Sequence, residues 1–166
     1  MRLVLLMLLS FYTSVPELNA CRKLLDQSLA DEKAANVFYS QLKNIKQTDT
    51  PVMVGFQAMS EFMLCKHMIN PVSRVRHFNR GKKLLESALQ RDPDAAELHY
   101  FRLTTQSNVP SLLRYSSNIK ADKNFLISYL KNEQAHADHE LYKRIKNYLL
   151  INPYCSAEEK NLIKTL

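Results

Sequence analysis

The chain has 166 residues, 46% of them hydrophobic, and a net charge of +7, which suffices for one domain with its own core. Two glycines in the whole chain exclude the glycine-rich phosphate cradles and dinucleotide fingerprints, whose backbones must approach a ligand closely. Neither a G-x-S-x-G elbow nor an H-E-x-x-H pair occurs. No residue is therefore assigned to catalysis, to a metal or to a cofactor.

Met1-Arg2 followed by an apolar run over residues 3–12 reads as a secretory signal, too short to anchor the chain across a bilayer. Residues 1–20 are taken as the signal peptide and 21–166 as an all-helical domain. Leu18-Asn19-Ala20-Cys21 supports two readings: an ordinary signal-peptidase cut after Ala20, or a lipobox that makes Cys21 the lipid-bearing first residue. Removing residues 1–20 leaves the charge at +7. Export places Cys21, Cys65 and Cys155 where disulfides can form. The odd count leaves at least one thiol unpaired, and Cys65 is expected as a small buried hydrophobe.

Over residues 21–46 Leu24, Leu25, Leu29, Val37, Phe38, Leu42 and Ile45 recur at helical spacing, which predicts one amphipathic helix. A short polar link over 47–50 predicts a hairpin with the next helix. Thr50 is the expected N-cap and Pro51 the first helical residue. That helix, to about residue 69, carries Val52, Phe56, Met59 and Met63 on one face and Val54, Ala58, Phe62, Cys65 and Ile69 on another, so it belongs in the middle of the domain. Asn70-Pro71 and Asp92-Pro93 repeat the boundary device and frame helices over 73–91 and 95–106. The span 50–106 is the expected core. Gly55 and Gly81 fall inside its helices at about 1 kcal/mol each relative to Ala, implying that helices approach closely there.

Ser107, Asn108 and Pro110 break the pattern, and an irregular segment runs to residue 120. Helix resumes near residue 121 with Phe125, Leu126, Tyr129 and Leu130 on one face. Residues 133–139 read as a loop or exposed helix end, and 140–150 as a helix with Leu141, Ile145, Tyr148 and Leu149 inward. Ser156-Ala157-Glu158-Glu159 is a capping box opening a last short helix. No segment sustains period-two alternation, so the fold class is all-α, an array of helical hairpins.

Gly81, Leu85, Ala88 and Pro93 are spaced like the small, large apolar, Ala and Pro positions of the second helix of a tetratricopeptide repeat. Residues 95–106 resemble the first helix of a following repeat, with Leu98 and Phe101 in packing positions and Arg102 in place of a small residue. About a third of the chain shares this likeness, as one degenerate repeat. It implies a groove between helices that takes a protein or peptide partner. The whole chain is also similar to small exported helical proteins of Bacteroidota, a likeness that brings no activity with it.

Two sets of residues resemble metal ligands. Met59, Met63, Cys65, His67 and Met68 are soft donors suited to copper(I), although Cys65 and His67 point about 200 degrees apart on a helix. Glu133 and His136 match half of a carboxylate-bridged di-iron pattern that has no second copy. Arg74, Arg76, His77, Arg80, Lys82 and Lys83 crowd into ten residues, a candidate patch for a partner or an anionic surface. Lys143, Arg144 and Lys146 form a smaller group. Nucleic acid is a poor partner for an exported chain, and no aromatics interleave with these cations as a stacking platform requires. The sequence thus predicts a non-catalytic interaction or structural protein of the bacterial envelope, periplasmic or attached through lipid on Cys21. The alternative is a small-ligand or metal carrier using a Met-rich helical cavity.

Overall fold

A computed structural model describes residues 17–132 and 137–166. They form eight α-helices and one 3₁₀ turn: α1 Leu18–Ser28, α2 Glu32–Leu42, α3 Pro51–His67, α4 Pro71–Arg91, α5 Ala96–Asn108, the turn Ser111–Leu113, α6 Ile119–Leu130, α7 His139–Ile151 and α8 Ala157–Thr165. The domain is all-α, with no strand among the described residues. No described helix is long and apolar enough to cross a membrane. The first 16 residues of the expected signal peptide lie outside the described residues, as do Glu133 and His136. Leu18, Asn19 and Ala20 form the first turn of α1.

Helix α3 is the hub, packed against α1, α2, α4 and α5 and buried continuously from Met53 to Leu64. Two of its buried polar side chains are anchored to backbone carbonyls. Gln57 Nε2 donates to the carbonyls of Lys43 and Ile45 at 3.3 and 3.1 Å, which ties down the α2–α3 link, and Ser60 Oγ donates to the Gln57 carbonyl at 2.8 Å. Helix α4 lies antiparallel on α3: Gly81 meets the Ala58 carbonyl, while one turn further along α3 Phe62 meets Phe78, earlier in α4. Both glycines mark the close approaches expected of them. A Cβ on Gly81 would sit 2.9 Å from a Phe62 ring carbon and 3.0 Å from the Ala58 carbonyl oxygen, and one on Gly55 would sit 2.3 Å from Leu98 Cδ2.

The apolar interior forms two clusters that meet at α5. Leu98 and Phe101 point into a cluster built by α1 to α4, while Ala96 and Leu103 point into one built with α6, α7 and α8. The core therefore extends well beyond 50–106. Charged straps join the two parts. Arg22, 4% exposed, donates to both Glu97 oxygens at 2.7 and 2.9 Å, to both Asp138 oxygens at 3.0 and 2.7 Å and to Asn19 Oδ1 at 2.9 Å. Arg144 donates to both oxygens of Asp26.

Several local expectations need correction. The single helix over 21–46 is two helices, because the Asp31 side chain accepts from Lys33 N and starts α2 anew. Thr50 precedes α3 without a side-chain cap, and Asp92-Pro93 does not open α5, which begins three residues after Pro93. Asn70 does cap α4, accepting from Val72 N and Ser73 N at 2.9 and 3.1 Å, and the Ser156–Glu159 capping box is complete.

Candidate functional site: an apolar groove beside the central helix

A groove of about 630 Å³ lies between the C-terminal half of α3, the first turns of α4, the end of α5 and the segment that follows it. Met59, Phe62 and Met63 from α3 and Phe78 from α4 supply its apolar lining. Val75, Leu112 and Leu113 stand along its edges. A volume of this size falls within the about 300–1,000 Å³ of common ligand sites, and the two methionines adapt to irregular apolar shapes.

Elements far apart in sequence hold the groove's second wall. Tyr115, buried, donates its hydroxyl to Glu86 Oε1 at 2.7 Å, meets the Phe78 ring edge-on at 5.9 Å, and carries Lys82 Nζ 4.9 Å over its ring. Burial and the Glu86 carboxylate push the Tyr115 phenol well above its ordinary range. Glu86 also accepts from Arg102, which donates in turn to both Asp122 oxygens, and His99 Nδ1 lies 2.7 Å from Asp122 Oδ1. Arg102, where the repeat pattern wants a small residue, is thus the centre of a network joining α4, α5 and α6.

The groove gathers some of the residues singled out in the sequence and separates others. Met59, Met63 and Cys65 line it, but His67 turns toward α1, with Nε2 2.7 Å from the Ser28 carbonyl oxygen. Met59 Sδ accepts from Thr105 Oγ1 at 3.8 Å. No group of three His, Cys, Asp or Glu side chains close enough to hold a metal ion occurs among the described residues. Cys65 is half-buried; burial pushes its thiol up, partly offset by Arg74. Its neighbour is a guanidinium and not a general base.

The five cations expected as a patch do not share one surface. Arg74 lines the groove and Lys82 covers Tyr115. Arg80 reaches back to the fully buried Glu61: its Nε lies 3.0 Å from Oε1, off the hydrogen-bonding direction, so the contact is Coulombic and that oxygen accepts no hydrogen bond. His77 Nδ1 takes the other Glu61 oxygen at 2.5 Å. At 100 degrees per residue Arg76, Arg80 and Lys83 fall within about 60 degrees on the outer face of α4.

Cys21 is 1% exposed in the first apolar cluster, and burial together with the Glu97 charge pushes its thiol up to about 11. Cys155 is buried in the second cluster, and all three thiols are free. Sequence reasoning missed the wall over 109–113, where Leu112 and Leu113 between Pro110 and Arg114 were the available signal. No protein family, no curated protein and no solved structure matches this chain.

Proposed function

We propose that this protein is a non-catalytic, exported component of the bacterial envelope that holds a segment of a protein partner in the groove between α3, α4 and the 109–113 wall. The observation that carries the reading is the groove itself, apolar in its depth and edged by aliphatic side chains that stand in water. Exposed apolar surface of this kind marks interaction sites on folded proteins. Stacked helical hairpins offer concave surfaces to peptides, and the tetratricopeptide-like spacing of Gly81, Leu85 and Ala88 agrees with that use. The buried Cys21 thiol favours an ordinary cut after Ala20 over lipid attachment, since a thioether-linked lipid needs its sulfur at the surface.

Cross-linking tests the reading directly. A photo-reactive phenylalanine placed at Leu112 in the expressing bacterium is expected to capture a protein partner, and Val75→Asp is expected to abolish the adduct. The same group at Ile151, exposed on α7, serves as control. Equal adducts from both positions would refute the groove as the binding site. Intact mass and membrane fractionation of wild type beside Cys21→Ala test the compartment: an added lipid mass with membrane loss on mutation would make it a lipoprotein. The second reading, a small-ligand carrier, is favoured by the Met59, Met63, Phe62 and Phe78 lining. It predicts a bound mass in native spectra of the purified protein, or copper(I) binding lost in Met63→Leu.

A further inference from the structure

We propose that the segment this groove receives is an amphipathic helix that sets a carboxylate against Arg74. The inference rests on the groove being the binding site and names what it selects. Polar groups in the second wall are already committed: Thr104 Oγ1 donates to the Phe101 carbonyl, Thr105 Oγ1 to Met59 Sδ, and Asn108 Nδ2 to the Thr104 carbonyl. An extended peptide would bury backbone N–H and C=O groups against apolar walls with few partners, at about 1–3 kcal/mol for each one left unmade. A helix satisfies its own backbone and presents apolar anchors at i, i+3, i+4 and i+7.

Apolar surface at the groove's edges and beyond them argues for such a partner over a small molecule. Leu112 is 89% exposed and Val75 50%, and next to the Val75 turn Val72 is 66% and Ile69 96% exposed. A ligand sunk between Met63 and Phe78 would leave Ile69, Val72 and the outer faces of Val75 and Leu112 in water, whereas a helix lying along the groove covers side chains at its edges.

Charge sets the polarity of the partner. No acidic side chain lines the groove, and its charged residues are Lys66 and Arg74. Lys66 donates to the Leu29 carbonyl, while Arg74 is exposed and has no carboxylate within ion-pair distance among the described residues. The other arginines nearest the core differ: Arg22, Arg80, Arg102 and Arg144 all have carboxylate partners. A guanidinium at the edge of an apolar groove on a chain of net charge +7 takes a carboxylate in bidentate fashion.

The test uses two labelled helical peptides of about 15 residues, each with leucines at i, i+3, i+4 and i+7 and differing only in Glu or Lys beside that stripe. Anisotropy titrations are run on wild type, Arg74→Glu and Leu112→Asp, each checked for native helicity. Wild type is expected to bind the Glu peptide about tenfold or more tightly than the Lys peptide, and Arg74→Glu to reverse that preference. Equal binding of the two peptides by both proteins, or none by either, overturns the proposal. Unchanged binding by Leu112→Asp would instead remove the groove as the site. Tighter binding of a long-chain fatty acid, of a peptide of residues 1–16, or of a second copy seen as a dimer that Leu112→Asp dissolves would assign the groove to that occupant and overturn the helix.

Discussion

Replacing Arg22 by Met tests whether the two apolar clusters are joined by the buried ion pair. Methionine keeps much of the side-chain volume but withdraws every hydrogen bond that the guanidinium makes to Glu97 and Asp138. Asp138, 41% exposed at its side chain, can be rehydrated. Glu97, 4% exposed at its side chain, cannot, and its carboxylate is left buried without a hydrogen-bonded ion-pair partner. Breaking one half of a buried pair costs about 3–5 kcal/mol. With a urea m-value near 2 kcal/mol/M, ordinary for a domain of this size, the midpoint should fall by about 2 M. Far-UV circular dichroism during urea titration reads that midpoint. Glu97→Gln in the Arg22→Met background removes the stranded charge and should restore part of the loss. Acid should help the single variant as well. Burial already pushes the Glu97 carboxyl up against the pull of Arg22, so without Arg22 the folded state holds the proton more tightly than the unfolded chain does. The stability of Arg22→Met relative to wild type should then rise as pH falls from about 7 toward 5. A midpoint shift below about 0.5 M, or no recovery in the double variant, would refute this account of the joint.

Asp122 predicts the opposite pH behaviour. Burial alone would raise its carboxyl, but hydrogen bonds from Arg102 and His99 outweigh it and hold the carboxyl below its usual range. Its stabilising contribution is complete above about pH 4 and is lost as pH falls through the folded-state value, so Asp122→Asn should flatten the acid limb of a stability–pH curve; an unchanged limb would show that Asp122 does not carry it. At the close approaches, Ala gains about 1 kcal/mol of helix propensity but overpacking costs about 1–3 kcal/mol. Gly55→Ala, which meets the fully buried Leu98 at 2.3 Å, should therefore lower Tm by calorimetry more than Gly81→Ala, and a rise at Gly55 would contradict the packing. Among the thiols, Cys65 in the groove should react with Ellman's reagent before Cys21 and Cys155, as peptide mapping of the labelled protein would show. Occupancy of the groove should slow Cys65 alone.

What was legible in the sequence were features whose partners lie within one helical turn. Asn70 reaches Val72 N and Ser73 N, and Ser156 and Glu159 satisfy each other's backbone, so both boundaries follow from residue type and spacing. The same chemistry was present in Asp31 and Lys33, but the apolar rhythm of α1 continues into α2 and hides the break. Thr50 and Asp92-Pro93 show the converse case: residues of the right type stand near a helix start without capping it. The burial of α3 was legible for a different reason, since a helix apolar on two faces has no other place to go.

The groove depends on pairings that local spacing does not record. Its second wall stands because Tyr115 reaches Glu86 across 29 residues and stacks edge-on against Phe78, and neither contact leaves a periodic trace. Helix phase decides the rest. The cations of α4 are neighbours along the chain, yet rotation by 100 degrees per residue turns Arg74 into the groove, Lys82 onto Tyr115, and Arg76, Arg80 and Lys83 toward the outer face, from which Arg80 reaches back to Glu61. That phase is locked where Gly81 lies against Phe62 and the Ala58 carbonyl. A run of positive charge therefore becomes one groove residue, one aromatic contact and one solvated face, and only the first sits where a bound segment would meet it.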